Sequence, residues 1–167
     1  MKNWQCILFV GCCLMTASAT AREPKATAVF PFEFDDTSLQ GSLQGPRPEE
    51  TARLATLSQQ LGGMLTGSGC CKLVDMTAAS RQSRTLNLRA CGGCDIDLAR
   101  QAGATVSVIG WVQKVSNLIL NINVVARDIG SGKVIGAGSV DIRGNTDESW
   151  SRGLSYLVRD RLHPSQW

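Results

Sequence analysis

The residues best suited to chemistry in this chain are the two cysteines of Cys91-Gly92-Gly93-Cys94. Cysteines at this spacing suit thiol–disulfide exchange or metal binding in a cytosolic protein, and a structural disulfide in an oxidising compartment. Cys94 stands just before a predicted short helix over residues 95–102, where the helix dipole stabilises a thiolate. The compartment in which the protein works therefore decides which of these chemistries is favoured.

The N-terminus predicts an oxidising compartment. Lys2 precedes an apolar stretch over residues 7–15, and Ala19-Thr20-Ala21 is the small-x-small pattern of a signal peptide cleavage site. The apolar stretch is shorter than the ~20 residues that cross a bilayer. We therefore predict that residues 1–21 are a signal peptide and that residues 22–167 form one periplasmic domain without a transmembrane segment.

A lipoprotein signal is a second interpretation of the same segment. Phe9-Val10-Gly11-Cys12 resembles a lipoprotein cleavage box, with Cys12 as the acylated residue. The apolar core would then cover only residues 7–11, which is shorter than the ~7–15 residues of a usual signal peptide. Cleavage after Ala21 is therefore favoured over acylation of Cys12.

Four cysteines remain after the signal peptide, and several pairings are open. A Cys91–Cys94 bridge stabilises by ~2 kcal/mol in the chain-entropy model, and a bridge from Cys70 or Cys71 to that pair by ~3–3.5 kcal/mol. Cys70 and Cys71 point to opposite faces of a predicted strand, and adjacent cysteines do not have the usual spacing of zinc ligands. We favour a structural Cys91–Cys94 disulfide with one or both of the adjacent pair free and buried, and we expect no bound metal.

Carboxylates provide a second set of candidates. Asp35 and Asp36 begin a predicted polar loop that extends to Pro48. They could form a cation site or an acid–base pair with three other carboxylates, Glu33, Asp95 and Asp97. Simpler roles are a solvated loop for the first pair and the first turn of a helix for the last two. The only histidine, His163, excludes a multi-histidine metal site.

Polar residues near the C-terminal half suggest a binding surface. Along residues 116–127 the apolar residues alternate with polar ones, which places Asn121 and Asn123 together on the wetter face of a strand. In residues 143–153, Asn145 and Glu148 predict a capping box at the start of a last helix. Three charged side chains of this segment are then available for recognition: Arg143, Asp147 and Arg152.

The order of the predicted elements is β-α-β-α-β-β-β-α. Residues 26–34 predict a first strand, with Pro31 at a strand end, bulge or edge, and the other strands cover residues 70–76, 105–112, 116–127 and 133–142. Residues 49–66 predict the longest helix. We therefore expect a single α/β sandwich, with a mixed sheet of about five strands, helices packed on it and a C-terminal antiparallel meander. Residues 164–167 are expected to form a loose tail.

The net charge of +3 is too small to indicate binding to nucleic acid.

Two segments resemble an uncharacterised family of secreted proteobacterial proteins with a domain of unknown function. They are residues 110–121, beginning Gly110-Trp111-Val112-Gln113, and residues 138–153, beginning Gly138-Ser139-Val140-Asp141. Its members are often encoded near quinoprotein (PQQ-dependent) alcohol dehydrogenases. The resemblance implies an envelope role and no known catalytic residue.

A weaker resemblance concerns the fold. Ala28-Val29-Phe30-Pro31-Phe32, Leu73-Val74-Asp75 and Ala102-Gly103-Ala104 are similar to segments of the TolB N-terminal domain and of the periplasmic domain of the curli secretion channel. Those domains are binding modules, and fold likeness alone is a weak argument for function.

The sequence therefore favours a non-catalytic periplasmic accessory or binding module without a cofactor, whose partner is another periplasmic protein and which would support a quinoprotein dehydrogenase system. The expected contact surfaces are Asn121 and Asn123, the loop over residues 35–48 and the segment over residues 143–152. The alternatives are a thiol-redox or metal-handling protein that uses Cys91 and Cys94, and an envelope lipoprotein acylated at Cys12.

Overall fold

The structure, a computed structural model, describes residues 23–167. One mixed sheet contains six strands: β1 Lys25–Val29, β2 Glu33–Asp36, β3 Cys71–Leu73, β4 Val106–Lys114, β5 Ile119–Asp128 and β6 Val134–Arg143. The strand order is β3-β1-β4-β5-β6, and β2 follows β1 along the same side of β4. The first three strands run parallel to β4, whereas β4, β5 and β6 form the predicted antiparallel meander. The predicted α/β class is confirmed.

Within the described residues five α-helices accompany the sheet: α1 Leu39–Gln44, α2 Pro48–Gly67, α3 Thr77–Ser83, α4 Cys94–Gln101 and α5 Asp147–Leu157. Helices α2 and α5 cover one face of the sheet. From α5 and the π-helical turn Val158–Leu162 that continues it, an apolar stripe of Trp150, Leu154, Leu157 and Leu162 is buried against the sheet. Each such side chain stabilises the fold by about 1.5–3 kcal/mol when it leaves water.

The predicted first strand is divided at Pro31. Proline has no N–H to donate, so the ladder breaks there: β1 ends at Val29, and pairing with β4 resumes only at Glu33. The resumed strand contains Asp35 and Asp36, which the sequence placed in a loop. That part of the prediction is wrong, since the turn starts two residues later and leads into α1 rather than into an unstructured segment.

Three further features differ from the prediction. The N-cap of α5 is Thr146, whose Oγ1 accepts from Ser149 N while Ser149 Oγ accepts from Thr146 N, so the capping box lies one residue after the predicted one. Residues 77–83 form α3, a helix that is absent from the predicted order of elements. The C-terminal residues are not loose, because Trp167 is only 4% exposed and its Nε1 donates to Leu162 O at 3.1 Å.

The second face of the sheet is only partly covered. Helices α3 and α4 pack on it and bury a smaller apolar cluster that includes Ala28, Phe30, Leu98, Ala99 and Ile109. This cluster ends at Ile109 and at Val125, which are partners in the β4–β5 register. Beyond them, β2, the end of β4, β5 and β6 present their polar side chains to solvent.

Candidate functional site

The uncovered part of the second face is the candidate functional site, and we name it the open face. The strand registers align two rows of side chains across β2, β4, β5 and β6: Glu33, Trp111, Asn123, Ser139 in one row and Asp35, Gln113, Asn121, Asp141 in the other. Paired residues of neighbouring strands point to the same side of a sheet. The eight side chains therefore form one continuous surface.

The asparagines of the open face are held by hydrogen bonds within it. Asn121 Nδ2 donates to Ser139 Oγ at 2.9 Å and to Asp141 Oδ1 at 2.8 Å, and Asn123 Nδ2 donates to Asn121 Oδ1. Gln113 makes no side-chain hydrogen bond within residues 23–167. A surface ordered in this way loses little further side-chain entropy when a partner binds.

Arg89 fastens the loop between α3 and α4 to one end of the open face. Its Nε lies 3.1 Å from Glu33 Oε2, its Nη1 lies 3.0 Å from Asp35 Oδ2, and its Cζ lies 5.6 Å from the centre of the Trp111 ring. Leu88 N also donates to Glu33 Oε1 at 2.7 Å. The guanidinium therefore pairs with two carboxylates and makes a cation–π contact with the aromatic side chain of the surface.

The cation site considered from the sequence does not form in the described residues. Glu33 and Asp35 are bound to Arg89, whereas Asp36 lies on the opposite face of β2. Asp95 is buried and bound to Arg127 and Ser107, and Asp97 is exposed at the start of α4. Within residues 23–167 no three of the usual metal-binding side chains come together.

The structure brings together only some of the predicted contact residues. Asn121, Asn123 and Asp35 lie on the open face, and Arg143 extends it beside Ile119. Asp147 and Arg152 lie on α5, where they pair with Arg53 at 2.6 Å and with Glu148 at 3.3 Å. Asp36, Asp147 and Arg152 are therefore not part of the same surface.

Asp36 belongs to a buried ion cluster under α2. Lys114 Nζ lies 2.7 Å from Glu50 Oε1 and 3.1 Å from Asp36 Oδ2, and the Lys114 side chain is 1% exposed. Asn145 Nδ2 donates to Glu50 Oε1 at 2.6 Å. Burial raises the pKa of Asp36, but hydrogen bonds from Ser38 and the Lys114 ammonium outweigh this effect and hold the pKa below its usual value. The cluster joins β2, β4, α2 and the start of α5.

The four cysteines of the described residues form two pairs, each between residues that are close in the chain. The Sγ atoms of Cys91 and Cys94 lie within bonding distance, and their Cα atoms are 5.7 Å apart, which suits a disulfide. The Sγ atoms of Cys70 and Cys71 also face each other, unlike the expected free thiols. The alternation of strand side chains does not separate this pair, because β3 begins only at Cys71.

Two residues were not identified from the sequence: Arg89 of the candidate site and Lys114 of the buried ion cluster. Glu33 and Asp35 are two residues apart and therefore lie on the same side of a strand, a pattern that predicts a shared cation. Arg89 follows them by more than fifty residues, however, as separations of 56 and 54 show. Several arginines of the same segment would have fitted the sequence equally well.

The solved structures with similar folds include those of two bacterial proteins. The NMR structure of Escherichia coli LpoB has a TM-score of 0.51 and 16% identity, over 74% of this chain and 58% of that chain. A PelC dodecamer from Paraburkholderia phytofirmans has a TM-score of 0.52 and 14% identity, over 90% of this chain and 94% of that chain. At such identities the similarity shows the fold alone. No curated protein matches the sequence.

No helix within residues 23–167 is both long and apolar enough to cross a membrane.

The DUF3280 family, described as "Protein of unknown function (DUF2380)", matches residues 25–162. This range includes all six strands of the sheet and the five α-helices α1 to α5 of the described residues. The chain therefore belongs to this family of proteins of unknown function.

Proposed function

We propose that the protein is a non-catalytic binding module of the bacterial envelope and that its open face contacts another envelope protein. The observation that carries this proposal is the ordered, uncovered polar surface on β2, β4, β5 and β6. Polar groups held in place beside an aromatic side chain suit recognition of a protein surface. The hydrogen-bonding capacity of Gln113 and the charge of Arg143 are available to a partner that offers acceptors.

The chemistry of the open face favours binding over catalysis. Four of its eight side chains are amides or hydroxyls, two carboxylates, Glu33 and Asp35, are bound to the Arg89 guanidinium, and the third, Asp141, accepts a hydrogen bond from Asn121. General base catalysis needs a carboxylate or imidazole with access to a substrate proton. Within residues 23–167, the single imidazole, His163, lies at the C-terminal end of the helical layer on the other side of the sheet.

An envelope location is supported by the predicted signal peptide over residues 1–21, which lies outside the described residues. The fold of this chain is also similar to the folds of two bacterial proteins, LpoB and PelC. The sequence resemblance further suggests a quinoprotein dehydrogenase system as the setting, so that a dehydrogenase or its redox partner would be the contacting protein.

Site-specific photocrosslinking in the periplasm tests the proposal. A photoreactive amino acid at Asn123 should give a discrete crosslinked partner, because this side chain lies near the centre of the open face. The same amino acid at Arg152, which is exposed on α5, is the matched control. A partner captured from Arg152 and not from Asn123 would contradict the assignment of the open face. Mass spectrometry of the adduct then establishes whether the partner is a quinoprotein dehydrogenase.

A thiol-redox or metal-handling function of Cys91 and Cys94 is the second candidate. It is favoured by their pairing at the first turn of α4, whereas the partial burial of Cys94 against the second apolar cluster favours a structural bridge. Thiol counting by mass spectrometry with and without reductant separates the two. If Cys91→Ser abolishes disulfide exchange or metal uptake while the fold is kept, the redox function replaces our proposal.

Acylation at Cys12 would make the same module a membrane-anchored one. The mass of the purified N-terminal peptide tests this alternative. A mature chain that starts at Arg22 eliminates acylation, whereas a lipid-modified Cys12 eliminates cleavage after Ala21.

A further inference from the structure

β6 is an edge strand with an unpaired side. Val115 N donates to Ile119 O at 3.1 Å, so Ile119 and every second residue after it in β5 direct their main-chain groups toward β4. The residues between them bond to β6, where Leu120, Ile122 and Val124 face Ile142, Val140 and Gly138. By the same alternation, four residues of β6 direct their main-chain N–H and C=O groups away from the sheet: Ala137, Ser139, Asp141 and Arg143.

These outward groups have no main-chain partner within residues 23–167. The side chains of Ala137 and Ser139 are exposed and small, so they leave room for a neighbouring strand. The usual protections of an edge are weak here: β6 contains no proline, and its irregularity in register is confined to its first residues, near Val134. The opposite edge, β3, has only three residues.

Cations flank the unpaired side of β6 on both faces of the sheet. On the open face, Arg143 is exposed at the end of the strand. On the helical face, Arg161 is exposed and packs over Gly138: a Cβ added to Gly138 would lie 3.0 Å from Arg161 Cβ. The Arg161 Cζ lies 5.8 Å from the centre of the Tyr156 ring. Neither arginine has an acidic group within 4.0 Å in the described residues, whereas the nearby Asp141 accepts from Asn121.

We infer that β6 accepts an extended, acidic segment of a partner protein as an additional strand of the sheet. Main-chain hydrogen bonds to residues 137–143 would supply affinity, and the acidic side chains of the segment would pair with Arg143 on one face and Arg161 on the other. The inference rests on the proposed binding function, because the added strand would continue the rows of the open face beyond Ser139 and Asp141. A second copy of this chain fits less well, since it would bring the same arginines to the contact.

NMR titration of the isotope-labelled mature protein tests this inference. The probe is a decapeptide that repeats Thr-Thr-Glu-Glu, so that glutamates lie on both faces of an added strand, and the matched control replaces each glutamate with lysine. The acidic probe should shift the amide resonances of Ala137, Ser139, Asp141 and Arg143 and slow their hydrogen exchange. It should bind about tenfold more tightly than the basic probe, the effect expected from one or two charge-assisted contacts. Equal affinities, or shifts confined to other residues, would overturn the inference.

Ser139→Pro is the decisive variant, because it removes an outward N–H without touching the β5–β6 ladder. It should weaken the acidic probe about tenfold, whereas Ser139→Ala, which keeps the N–H, should not. If the proline variant does not fold, the Arg143→Glu and Arg161→Glu pair should reverse the preference between the two probes. Slowed exchange of the same amides at rising protein concentration without any probe would show a dimer instead and overturn the acidic-partner assignment.

Trp111→Ala separates this inference from the proposed function. The substitution changes the open face but leaves the edge of β6 intact, so probe binding should persist while the natural partner is lost. If Ser139→Pro instead loses probe binding but still captures the natural partner, the open face works without strand addition.

Discussion

The two faces of the sheet hold their charges in different ways. Under α2, the Lys114 side chain is 1% exposed and lies between Glu50 and Asp36. On the open face, the Arg89 side chain remains 28% exposed while it pairs with Glu33 and Asp35. A buried charge that loses its partner is strongly unfavourable, whereas an exposed one is stabilised by water. We therefore expect the first cluster to determine stability and the second to remain adaptable.

The amides of the two faces show the same contrast. Asn145 connects elements that are far apart in the chain, since its side chain contacts Glu50, Arg53 and Trp150. Within residues 23–167 the Asn123 side chain forms a hydrogen bond only with Asn121, its neighbour on the same strand face. The polar groups of the covered face thus fix the positions of helices, and those of the open face organise a surface. This difference supports assigning recognition to the open face.

The largest effect should come from Lys114→Met. The substitution leaves the Glu50 and Asp36 carboxylates without their shared ammonium, and removal of one partner of a buried ion cluster lowers the free energy of unfolding by about 3–5 kcal/mol. Urea unfolding measures the loss. Arg89→Met is the matched control on the open face and should lower it by about 1 kcal/mol or less. Equal losses in the two variants would contradict the distinction between the faces.

A somewhat smaller effect should follow from Gly153→Ala. The new Cβ would collide with Ile142 Cγ2 and lie 3.2 Å from Ile122 Cδ1, where α5 packs on the sheet. Overpacking of this kind lowers the free energy of unfolding by about 1–3 kcal/mol. Gly63→Ala in α2 is the control: its Cβ meets nothing within 4 Å, so it should stabilise the helix by about 0.5–1 kcal/mol. A stabilised Gly153→Ala would show that α5 is not packed as described.

The elements that determine the packed face were predictable from the sequence. Leu57, Leu61 and Leu65 of α2 follow helical spacing, and so do Trp150, Leu154 and Leu157 of α5, because each stripe must face the sheet. The alternation in β5 likewise predicted a wet face with Asn121 and Asn123. Local periodicity suffices for these features, since they depend on residues close together in the chain.

The long-range contacts were not predictable in the same way. Lys114 is separated from the buried Val106, Val108 and Val112 by even numbers of residues, so the alternation of strand side chains places it on the covered face. The alternation does not reveal the partners of Lys114, because Glu50 and Asp36 are 64 and 78 residues away in the chain. Trp167 was missed for a similar reason, as its place in the core depends on the turn over residues 164–166.

Acid should remove a further part of the stability of the covered face. Hydrogen bonds from Ser38 and the charge of Lys114 hold the folded-state pKa of Asp36 below its usual value despite its burial. Asp36 therefore stabilises the fold above the unfolded pKa of about 3.9, and the contribution is lost as the pH falls through the lower folded-state value. Asp36→Asn should lower the free energy of unfolding by about 1–2 kcal/mol at neutral pH.

Denaturant unfolding at a series of pH values measures this dependence. The difference between the natural protein and Asp36→Asn should shrink progressively below pH ~4. Asp97→Asn is the control, because Asp97 is exposed and pairs with Arg100 across one helical turn at 2.7 Å. It should change stability by no more than about 0.5 kcal/mol. A difference for Asp36→Asn that is constant with pH would refute a charge-dependent role.

The smallest effect on stability should come from Asn123→Ala, and the same substitution at Asn145 makes the comparison between the faces direct. Asn123 loses one hydrogen bond on a solvated surface, so the free energy of unfolding should change by about 0.5 kcal/mol or less. Asn145→Ala removes the donor to the buried Glu50 and should cost about 1–3 kcal/mol. In crosslinking through another open-face position, Asn123→Ala should nevertheless weaken partner capture, whereas Asn145→Ala should not once the folded fraction is matched. If Asn123→Ala destabilises the protein as much as Asn145→Ala does, the open face is a structural surface and the contrast between the two faces fails.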